Sequence, residues 1–135
     1  MGIIIDKKIL KNENSEFPQN IIGEWGKCDG EYNCQGIIIA KDNKDKYLFT
    51  QYIMWSDGSM PGTIEKITKE TNNKYQITVH FDGYENELGS VKEHTITYNI
   101  DITDIKLDIL NIDENKYQKI TSDREIFFSS LMNNN

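Results

Sequence analysis

The chain has 135 residues, a net charge of −7 and a hydrophobic content of 37%. A chain of this length is typically one domain and can bury a core without metals or many disulfides. The acidic balance argues against a nucleic-acid partner, because binding a phosphate backbone requires a surface rich in Lys and Arg. No apolar run approaches the ~20 residues of a membrane-spanning helix.

The segment 1–16 is predicted to be an arm or linker in front of a single domain at 17–132. Its first part, 2–10, is rich in Ile and has enough apolar side chains for one short strand or a packed arm. Pro18 then interrupts regular structure, since its nitrogen has no hydrogen to donate. Phe17 beside it is a candidate plug for one end of a barrel.

From residue 21 onward, short runs of β-branched and aromatic residues alternate with clusters of Gly, Asn and Asp. Strands favour the first kind of residue, and turns favour the second. Turn signals at intervals of about ten residues are typical of a sandwich or a barrel. The pattern predicts eight strands, at about 21–28, 34–41, 46–55, 63–69, 74–82, 92–102, 105–112 and 116–121.

The strand predicted at 74–82 has the clearest alternation, as expected for a strand with one buried face. Its apolar residues occupy every second position: Tyr75, Ile77, Val79 and Phe81. The short connections leave no room for crossover helices, so the strands are predicted to be antiparallel. Such a sheet removes its edges by closing into a barrel. We therefore predict an all-β, eight-stranded antiparallel up-and-down barrel, followed at 123–132 by a short helix or an added strand.

The sequence contains no group of residues that points to catalysis. Nothing resembles a Gly-rich phosphate loop, a nucleophile elbow or a zinc-binding helix. His80 and His94 lie on different predicted strands and are interpreted as exposed or lightly hydrogen-bonded side chains. We therefore predict a protein that is not an enzyme and that has neither a metal site nor a cofactor.

Two cysteines, Cys28 and Cys34, flank the first predicted turn. Opposite each other in a hairpin, they would form a disulfide if their Cα atoms come within about 7 Å. The bond is expected in an oxidising compartment, whereas both residues would be thiols in a reducing cytosol. The opening Met1-Gly2 is compatible with a removed export signal as well as with a native start. An exported or periplasmic location is slightly favoured over a cytoplasmic one.

Three short motifs resemble the signatures of the lipocalins and of the wider calycin superfamily. They are Gly23-Glu24-Trp25 in the first strand, Thr103-Asp104 at the turn between the sixth and seventh strands, and Arg124 after the eighth. The second signature ends in Tyr in the family and in Ile105 here, and the C-terminal segment is shorter than the family's long helix. The resemblance covers about residues 17–128 and implies a small lipocalin-like barrel.

In this family the Arg stacks on the Trp and closes one end of the barrel. A planar guanidinium can stack on an indole ring while it bonds backbone carbonyls, which Lys cannot do. The resemblance therefore implies that Trp25 lies over Arg124, the only Arg in the chain. It assigns Gly23, Thr103 and Asp104 to the same closure, and it implies that loops at the open end gate a cavity.

The first functional hypothesis is a non-enzymatic lipocalin-like protein that holds a small apolar ligand in or at the mouth of the barrel. Such pockets are mostly apolar. The candidates to line it are bulky inward residues and the aromatic and Met residues around the loop after the third strand: Phe49, Tyr52, Met54, Trp55, Met60, Tyr75 and Tyr98. Bulky inward side chains could also fill so small a barrel and leave no cavity.

The second hypothesis is a protein-binding barrel, acting as an inhibitor or immunity protein for an enzyme or toxin. Small size, acidic charge and a possible disulfide at the first hairpin motivate it. Acidic loops would meet a basic protein partner, and opposite charges would speed their encounter. The acidic residues concerned are Asp29, Glu31, Asp57, Glu85 and Glu87.

Overall fold

A computed structural model describes residues 16–56, 58–87 and 89–133 of the chain. The strands in this part of the chain are β1 Gly23–Cys28, β2 Cys34–Lys41, β3 Tyr47–Ile53, β4 Ser59–Met60, β5 Gly62–Lys69, β6 Lys74–Phe81, β7 Tyr84–Asn86, β8 Gly89–Val91, β9 His94–Asp101, β10 Ile109–Ile112 and β11 Asn115–Lys119. The helices are two 3-10 turns, Gln19–Ile21 and Ile105–Leu107, and α1, Arg124–Asn133. The predicted N-terminal arm lies outside the described residues, apart from Glu16.

Eight of the strands form one closed antiparallel barrel. β1, β2 and β3 pair in sequence order, and β3 pairs with β5. The order continues through β6, β9, β10 and β11, and β11 pairs again with β1. The predicted fold class is therefore confirmed. The C-terminal tail, which was predicted to be either a helix or a strand, is helix α1.

Alternation along the strands separates an apolar interior from a more polar exterior. In β6 all the predicted inward residues, from Tyr75 to Phe81, are buried. They pack with the inward residues of the other strands into one core cluster. Large side chains such as Trp25, Phe49 and Tyr98 belong to this cluster, so the barrel interior is occupied by the protein's own side chains.

One end of the barrel, where β1 and β3 begin, is covered by the chain that enters it. The 3-10 turn Gln19–Ile21 precedes β1, and Ile21 has no exposed surface. Phe17 is also buried and stacks on Tyr47, with ring centroids 3.8 Å apart. Phe17 therefore plugs this end, which we call the closed end. The opposite end, where β1 and β3 finish, is called the open end.

A bulge in β5 changes which of its residues face inward. The register with β6 shifts between Ile64 and Lys66, so Glu65 is the extra residue. An extra residue moves the side chains that follow it to the opposite face of the sheet. Ile64 and Ile67 consequently both contact the core, although simple alternation would place them on opposite faces.

The predicted seventh strand, 105–112, is wrong in its first half. Residues Ile105–Leu107 form a 3-10 turn, and Asp108 after it has a left-handed backbone with a φ of 61°. Just upstream, the Asp101 carboxylate accepts a hydrogen bond from the Thr103 backbone N–H at 2.9 Å. Such a local bond bends the chain, which crosses the closed end before β10 begins.

The connection between β6 and β9 contains a further feature that the alternation did not predict. Its strands β7 and β8 pair with each other as a separate two-stranded hairpin. The core cluster includes none of the described residues of this hairpin, so its sequence shows no regular apolar alternation. The hairpin joins the barrel where β6 ends and β9 begins.

Helix α1 packs on the outer face of β1. Its Phe128 has no exposed surface, and the ring lies so close that a Cβ on Gly26 would be 2.7 Å from it. The helix begins after Asp123, whose Oδ1 accepts a hydrogen bond from the Glu125 N–H at 2.9 Å. Such N-terminal caps satisfy backbone donors that have no partner within the helix. None of the described helices is long and apolar enough to cross a membrane.

Candidate functional site

The tip of the β1–β2 hairpin is held together by a disulfide at the open end. Cys28 and Cys34 lie opposite each other in the register, with Cα atoms 4.0 Å apart, and their sulfurs are bonded. The predicted pairing is therefore confirmed. In the turn between them, the Asp29 N–H donates to the Asn33 carbonyl at 2.8 Å. Both bonds restrict the conformation of the tip.

Two exposed aromatic side chains, Tyr32 and Trp55, lie next to this tip. Tyr32 is 66% exposed and Trp55 is 42% exposed, and their rings meet edge to face with centroids 5.3 Å apart. This arrangement of rings is a favourable one. We call these two residues the aromatic pair. Ile53, at the end of β3, is 59% exposed and adds apolar surface at the same end of the barrel.

The aromatic pair has a left-handed backbone at both residues, with φ values of 59° and 64°. Bulky residues rarely adopt this conformation, and it persists only where the surrounding structure imposes it. The Met54 N–H next to the pair donates to the Cys34 carbonyl at 3.0 Å. The Tyr32 N–H lies 2.9 Å from the sulfur of Met132 in α1. The two rings are therefore exposed on a backbone that is fixed from both sides.

Helix α1 supports the aromatic pair from below. The Trp55 ring packs against Phe128, and Phe128 packs against Tyr52, with centroids 6.5 and 6.2 Å apart. The rings fit because Gly26 and Gly36 lie opposite each other in β1 and β2 and have no side chains. A Cβ on Gly36 would lie 2.1 Å from the Tyr52 ring. Glycine inside a strand often marks such a close approach.

Tyr52 is anchored by an ion pair on the same outer face. The Tyr52 hydroxyl and the Arg124 Nε both donate hydrogen bonds to the Glu24 carboxylate. The guanidinium carbon of Arg124 lies 4.6 Å from the centroid of the Tyr52 ring. Burial, with the bond to Glu24, raises the pKa of Tyr52, and the bond to Glu24 raises the pKa of Arg124. The start of α1 is thereby tied to β1 and β3.

Arg124 does not lie over Trp25, so this part of the predicted closure is wrong. Glu24 and Trp25 are consecutive in β1 and point to opposite faces of the sheet. Because Arg124 binds Glu24, it lies on the outside of the barrel. Lys119 takes the predicted position, with its Nζ 5.8 Å from the centroid of the Trp25 ring. Trp25 itself is 1% exposed and donates its Nε1–H to the Ile21 carbonyl at 2.9 Å.

The other residues predicted for the closure lie at the closed end. Gly23 is the first residue of β1, with a φ of 149°. Thr103 and Asp104 form a turn after β9, where the Asp104 carbonyl accepts hydrogen bonds from the Leu107 and Ile109 N–H groups. The motif positions thus share one end of the barrel without the predicted Trp–Arg contact.

Three of the residues predicted to line a ligand cavity face the barrel interior. Phe49, Tyr75 and Tyr98 are all buried in the core cluster. The Phe49 and Tyr98 rings stack with centroids 4.9 Å apart. Tyr75 lies at the start of β6, toward the closed end. All three rings pack against other side chains of the core cluster.

The other four predicted cavity residues lie elsewhere. Tyr52 faces the outside, under α1, as described above. Met54 and Trp55 follow β3 in the loop at the open end. Met60 is partly buried in β4 and packs against the core from that end. The structure therefore divides the predicted set between the interior, the outer face and the open end.

A polar layer lies between the apolar core and the open end. The Gln51 side chain donates to the Tyr98 hydroxyl at 2.7 Å, and the Gln35 side chain donates to the Tyr117 hydroxyl at 3.4 Å. The Lys27 Nζ lies 5.9 Å from the centroid of the Tyr117 ring. Burial raises the pKa of Tyr98 and raises the pKa of Tyr117 to about 12. Both hydroxyls are therefore neutral and can donate as well as accept hydrogen bonds.

Acidic side chains flank the aromatic pair. Asp29 and Glu31 belong to the turn at the hairpin tip and are exposed. Asp57, which was predicted to belong to the same acidic surface, lies outside the described residues. Glu85 and Glu87 are exposed on the hairpin formed by β7 and β8. An apolar surface with acidic neighbours therefore marks the open end.

Comparison of the chain with protein-family models, with curated sequences and with solved structures gives no match. The closed eight-stranded barrel is compatible with a calycin-like fold. Any relationship to the lipocalins therefore depends on the order of the short motifs and on the topology.

Tyr32 and Phe128 were not among the residues predicted for the site. Both contact Trp55 in the folded chain. A signal that could have pointed to Phe128 is Gly26 within β1, since a strand glycine admits a close neighbour; no such signal marks Tyr32. No pattern in the sequence points to the left-handed backbone of Trp55. That conformation follows from contacts between segments distant in sequence.

Proposed function

We propose that this chain is a non-enzymatic, protein-binding barrel whose open end docks onto a basic partner, in the manner of an inhibitor or an immunity protein. The observation that carries the proposal is the exposed aromatic pair, held on a constrained backbone at the disulfide-linked tip. Exposed, clustered apolar surface with a polar surround is typical of interaction sites.

The physical properties of the aromatic pair favour a protein partner. Trp and Tyr are enriched among the residues that dominate the free energy of protein association. Their backbone is restrained by the hydrogen bond of Met54 to Cys34 and by the contact of Tyr32 with Met132. Because little conformational freedom is then lost on binding, more of the contact energy is realised as affinity.

The charge distribution favours a basic partner. The chain has a net charge of −7, and Asp29 and Glu31 lie on the same turn as Tyr32. Lys27 pairs with Asp29 at 2.7 Å, whereas Glu31 forms no ion pair with any of the described residues. Such charges at the rim of an interface accelerate association more than they increase affinity.

A second candidate function is binding of a small apolar molecule at the mouth of a lipocalin-like barrel. The exposed Ile53 and the partly buried Met60 supply apolar surface at that position. The packed core below them supports a shallow site at the mouth over a deep one. The closed eight-stranded barrel, which is compatible with a calycin-like fold, is the further support for this candidate.

The compartment is part of the proposal. A disulfide between Cys28 and Cys34 persists in oxidising surroundings and is rare in the reducing cytosol. We therefore place the protein in an exported or periplasmic location, where an inhibitor would meet a secreted target.

Affinity capture tests the protein-binding function. Immobilised wild-type chain and the variants W55A, Y32S and I126A are exposed to extract from the source cells, and a captured basic protein is then purified for binding measurements. Ile126 is a matched control because it is 66% exposed on α1 but not in the aromatic pair. We expect W55A to weaken binding by about 2 kcal/mol, roughly thirtyfold, and I126A to leave it unchanged.

The outcomes separate the two candidates. Equal binding by W55A and I126A, or the absence of any basic partner, would contradict docking through the aromatic pair. Native mass spectrometry of freshly purified protein then decides on the second candidate. A small-molecule adduct on the wild type would favour binding at the mouth, and an unmodified mass would exclude a tightly retained ligand.

A further inference from the structure

Three side chains converge at the base of the hairpin formed by β7 and β8: His80, Asp82 and Glu93. The Nε2 of His80 lies 3.5 Å from an Asp82 carboxylate oxygen and 3.5 Å from a Glu93 carboxylate oxygen. One ligand atom from each residue lies within 4.8 Å of the other two. We call these residues the His80 cluster.

The backbone brings the three residues together. Asp82 follows the end of β6, and Glu93 precedes the start of β9. Between them Gly83 crosses the returning chain so closely that a Cβ there would be 2.7 Å from the Glu93 nitrogen and 2.5 Å from the Val91 carbonyl oxygen. The backbone of Asp82 and Glu93 is therefore held close to His80, at the place where the chain leaves β6 and returns to β9.

The imidazole of His80 is oriented for coordination. Its Nδ1 lies 3.4 Å from the Thr95 hydroxyl, across the strand pair that places His80 opposite Thr95. When Nδ1 carries the hydrogen and donates it to Thr95, the lone pair of Nε2 faces the two carboxylates. A partner on the second ring nitrogen fixes the tautomer of most metal-binding histidines in the same way.

The two distances from His80 Nε2 fit a small divalent cation, and the two carboxylate oxygens lie within 4.8 Å of each other. Ligand atoms about 2.1 Å from a tetrahedral zinc ion lie about 3.4 Å from one another, close to the 3.5 Å separations from His80 Nε2. The carboxylates of Asp82 and Glu93 are 84% and 73% exposed and the His80 side chain is 25% exposed. The acids can therefore adjust around a nitrogen that is held in place.

The ligand set selects the class of metal. Ca²⁺ and Mg²⁺ prefer sites made of oxygen ligands alone, whereas imidazole nitrogen with carboxylate oxygen suits Zn²⁺ and similar transition metals. Two carboxylates also neutralise a divalent charge. No metal site was predicted from the sequence, because His80 and His94 lie on different predicted strands; the folded chain instead brings one histidine, His80, next to two acids.

We propose that the His80 cluster binds Zn²⁺ or a related divalent transition metal and thereby fastens the hairpin of β7 and β8 to the barrel. The three side chains supply one nitrogen and two oxygens, and the remaining coordination position is open to water or to a side chain of another protein. The site is distinct from the aromatic pair, and its test does not depend on the proposed function.

The test is a calorimetric titration of the metal-free, full-length chain with ZnCl₂, supported by the absorption spectrum of bound Co²⁺. We expect one Zn²⁺ per wild-type chain. Loss of a residue that only supports a metal ligand typically lowers metal affinity by roughly 10- to 100-fold. E93Q and H80N remove a ligand itself, so each should weaken Zn²⁺ binding by at least that much. The control E85Q removes an acid from the same hairpin outside the cluster and should bind like the wild type.

NMR spectra of the imidazole groups locate the metal. Zn²⁺ should shift the imidazole resonances of His80. The shift should be the same in E85Q as in the wild type. The proposal would be overturned if the wild type showed no saturable binding of Zn²⁺, or if E93Q bound it as tightly as the wild type. Either result would mean that the metal is an adventitious surface ion only. If H80N does not fold, E93Q decides, because the Glu93 side chain is 73% exposed and its loss should leave the fold intact.

Discussion

The closed end and the open end of the barrel each present a tryptophan in opposite surroundings. Trp25 is 1% exposed within β1, and its Nε1–H bonds the Ile21 carbonyl. Trp55 is 42% exposed on a loop, with a left-handed backbone. At the closed end the side chain is buried and its polar atom is satisfied within the chain. At the open end the ring is held in place and left accessible.

In this small barrel, stability and recognition depend on opposite ends of the molecule. Phe17, Ile21 and Trp25 remove apolar surface from water at the closed end, which stabilises the fold. The aromatic pair obtains its fixed position from the disulfide and from α1, so it can stay exposed without loosening the core. Changes at the closed end should therefore alter unfolding, and changes at the open end should alter binding.

The largest expected effect is that of removing the buried ring. W25A should lower the free energy of unfolding by about 3–5 kcal/mol, because a large cavity forms in the core. W55A should change it by less than about 1 kcal/mol, since its ring is partly exposed. Urea denaturation followed by circular dichroism measures both values. Similar losses in the two variants would contradict the division between the ends.

An intermediate effect is expected from removing the disulfide. C28S/C34S should lower the free energy of unfolding by about 2 kcal/mol, since the bond closes a short loop and restrains the unfolded chain. It should also weaken binding of the partner, because the turn that holds Tyr32 is freed. Denaturation of the oxidised wild type and of the double variant measures the change in the free energy of unfolding. A stable double variant with unchanged binding would show that α1 alone positions the aromatic pair.

The smallest effect concerns the polar layer below the open end. Burial raises the pKa of Tyr117 from 10.0 to about 12, so the folded chain retains this proton at a pH where the unfolded chain releases it. The contribution to stability is complete below pH 10 and decreases as the pH rises toward about 12. Y117F should show a shallower alkaline loss of stability than the wild type. Identical slopes in denaturation series across this pH range would contradict the assignment.

Much of the barrel could be predicted from local patterns. The alternation of β6 and the turn residues after β1 and β2 follow from the chemistry of single side chains and their neighbours. The pairing of Cys28 with Cys34 followed from their positions on either side of one turn. The prediction at Ile105–Leu107 was wrong because a 3-10 turn interrupts the alternation there, and the bulge in β5 likewise interrupts a regular pattern.

The candidate site could not be derived in the same way. Tyr32, Trp55 and Phe128 come from three segments that meet only after the barrel closes and α1 folds back. Arg124 was predicted to stack on Trp25, but its partner is decided by the face from which α1 approaches β1, and that face carries Glu24. Strand alternation indicates that two faces exist and does not say which face the tail will cover.

Most of the barrel strands, their antiparallel order, the closure of the barrel and the facing positions of Cys28 and Cys34 could be derived from the sequence. These depend on residue periodicity and on neighbours a few positions apart. Folding of the whole chain was needed to bring Lys119 over Trp25, Tyr32 beside the exposed Trp55, and Glu93 next to His80. The physical reason is that these contacts join segments far apart in the chain, whose meeting depends on how the whole barrel packs.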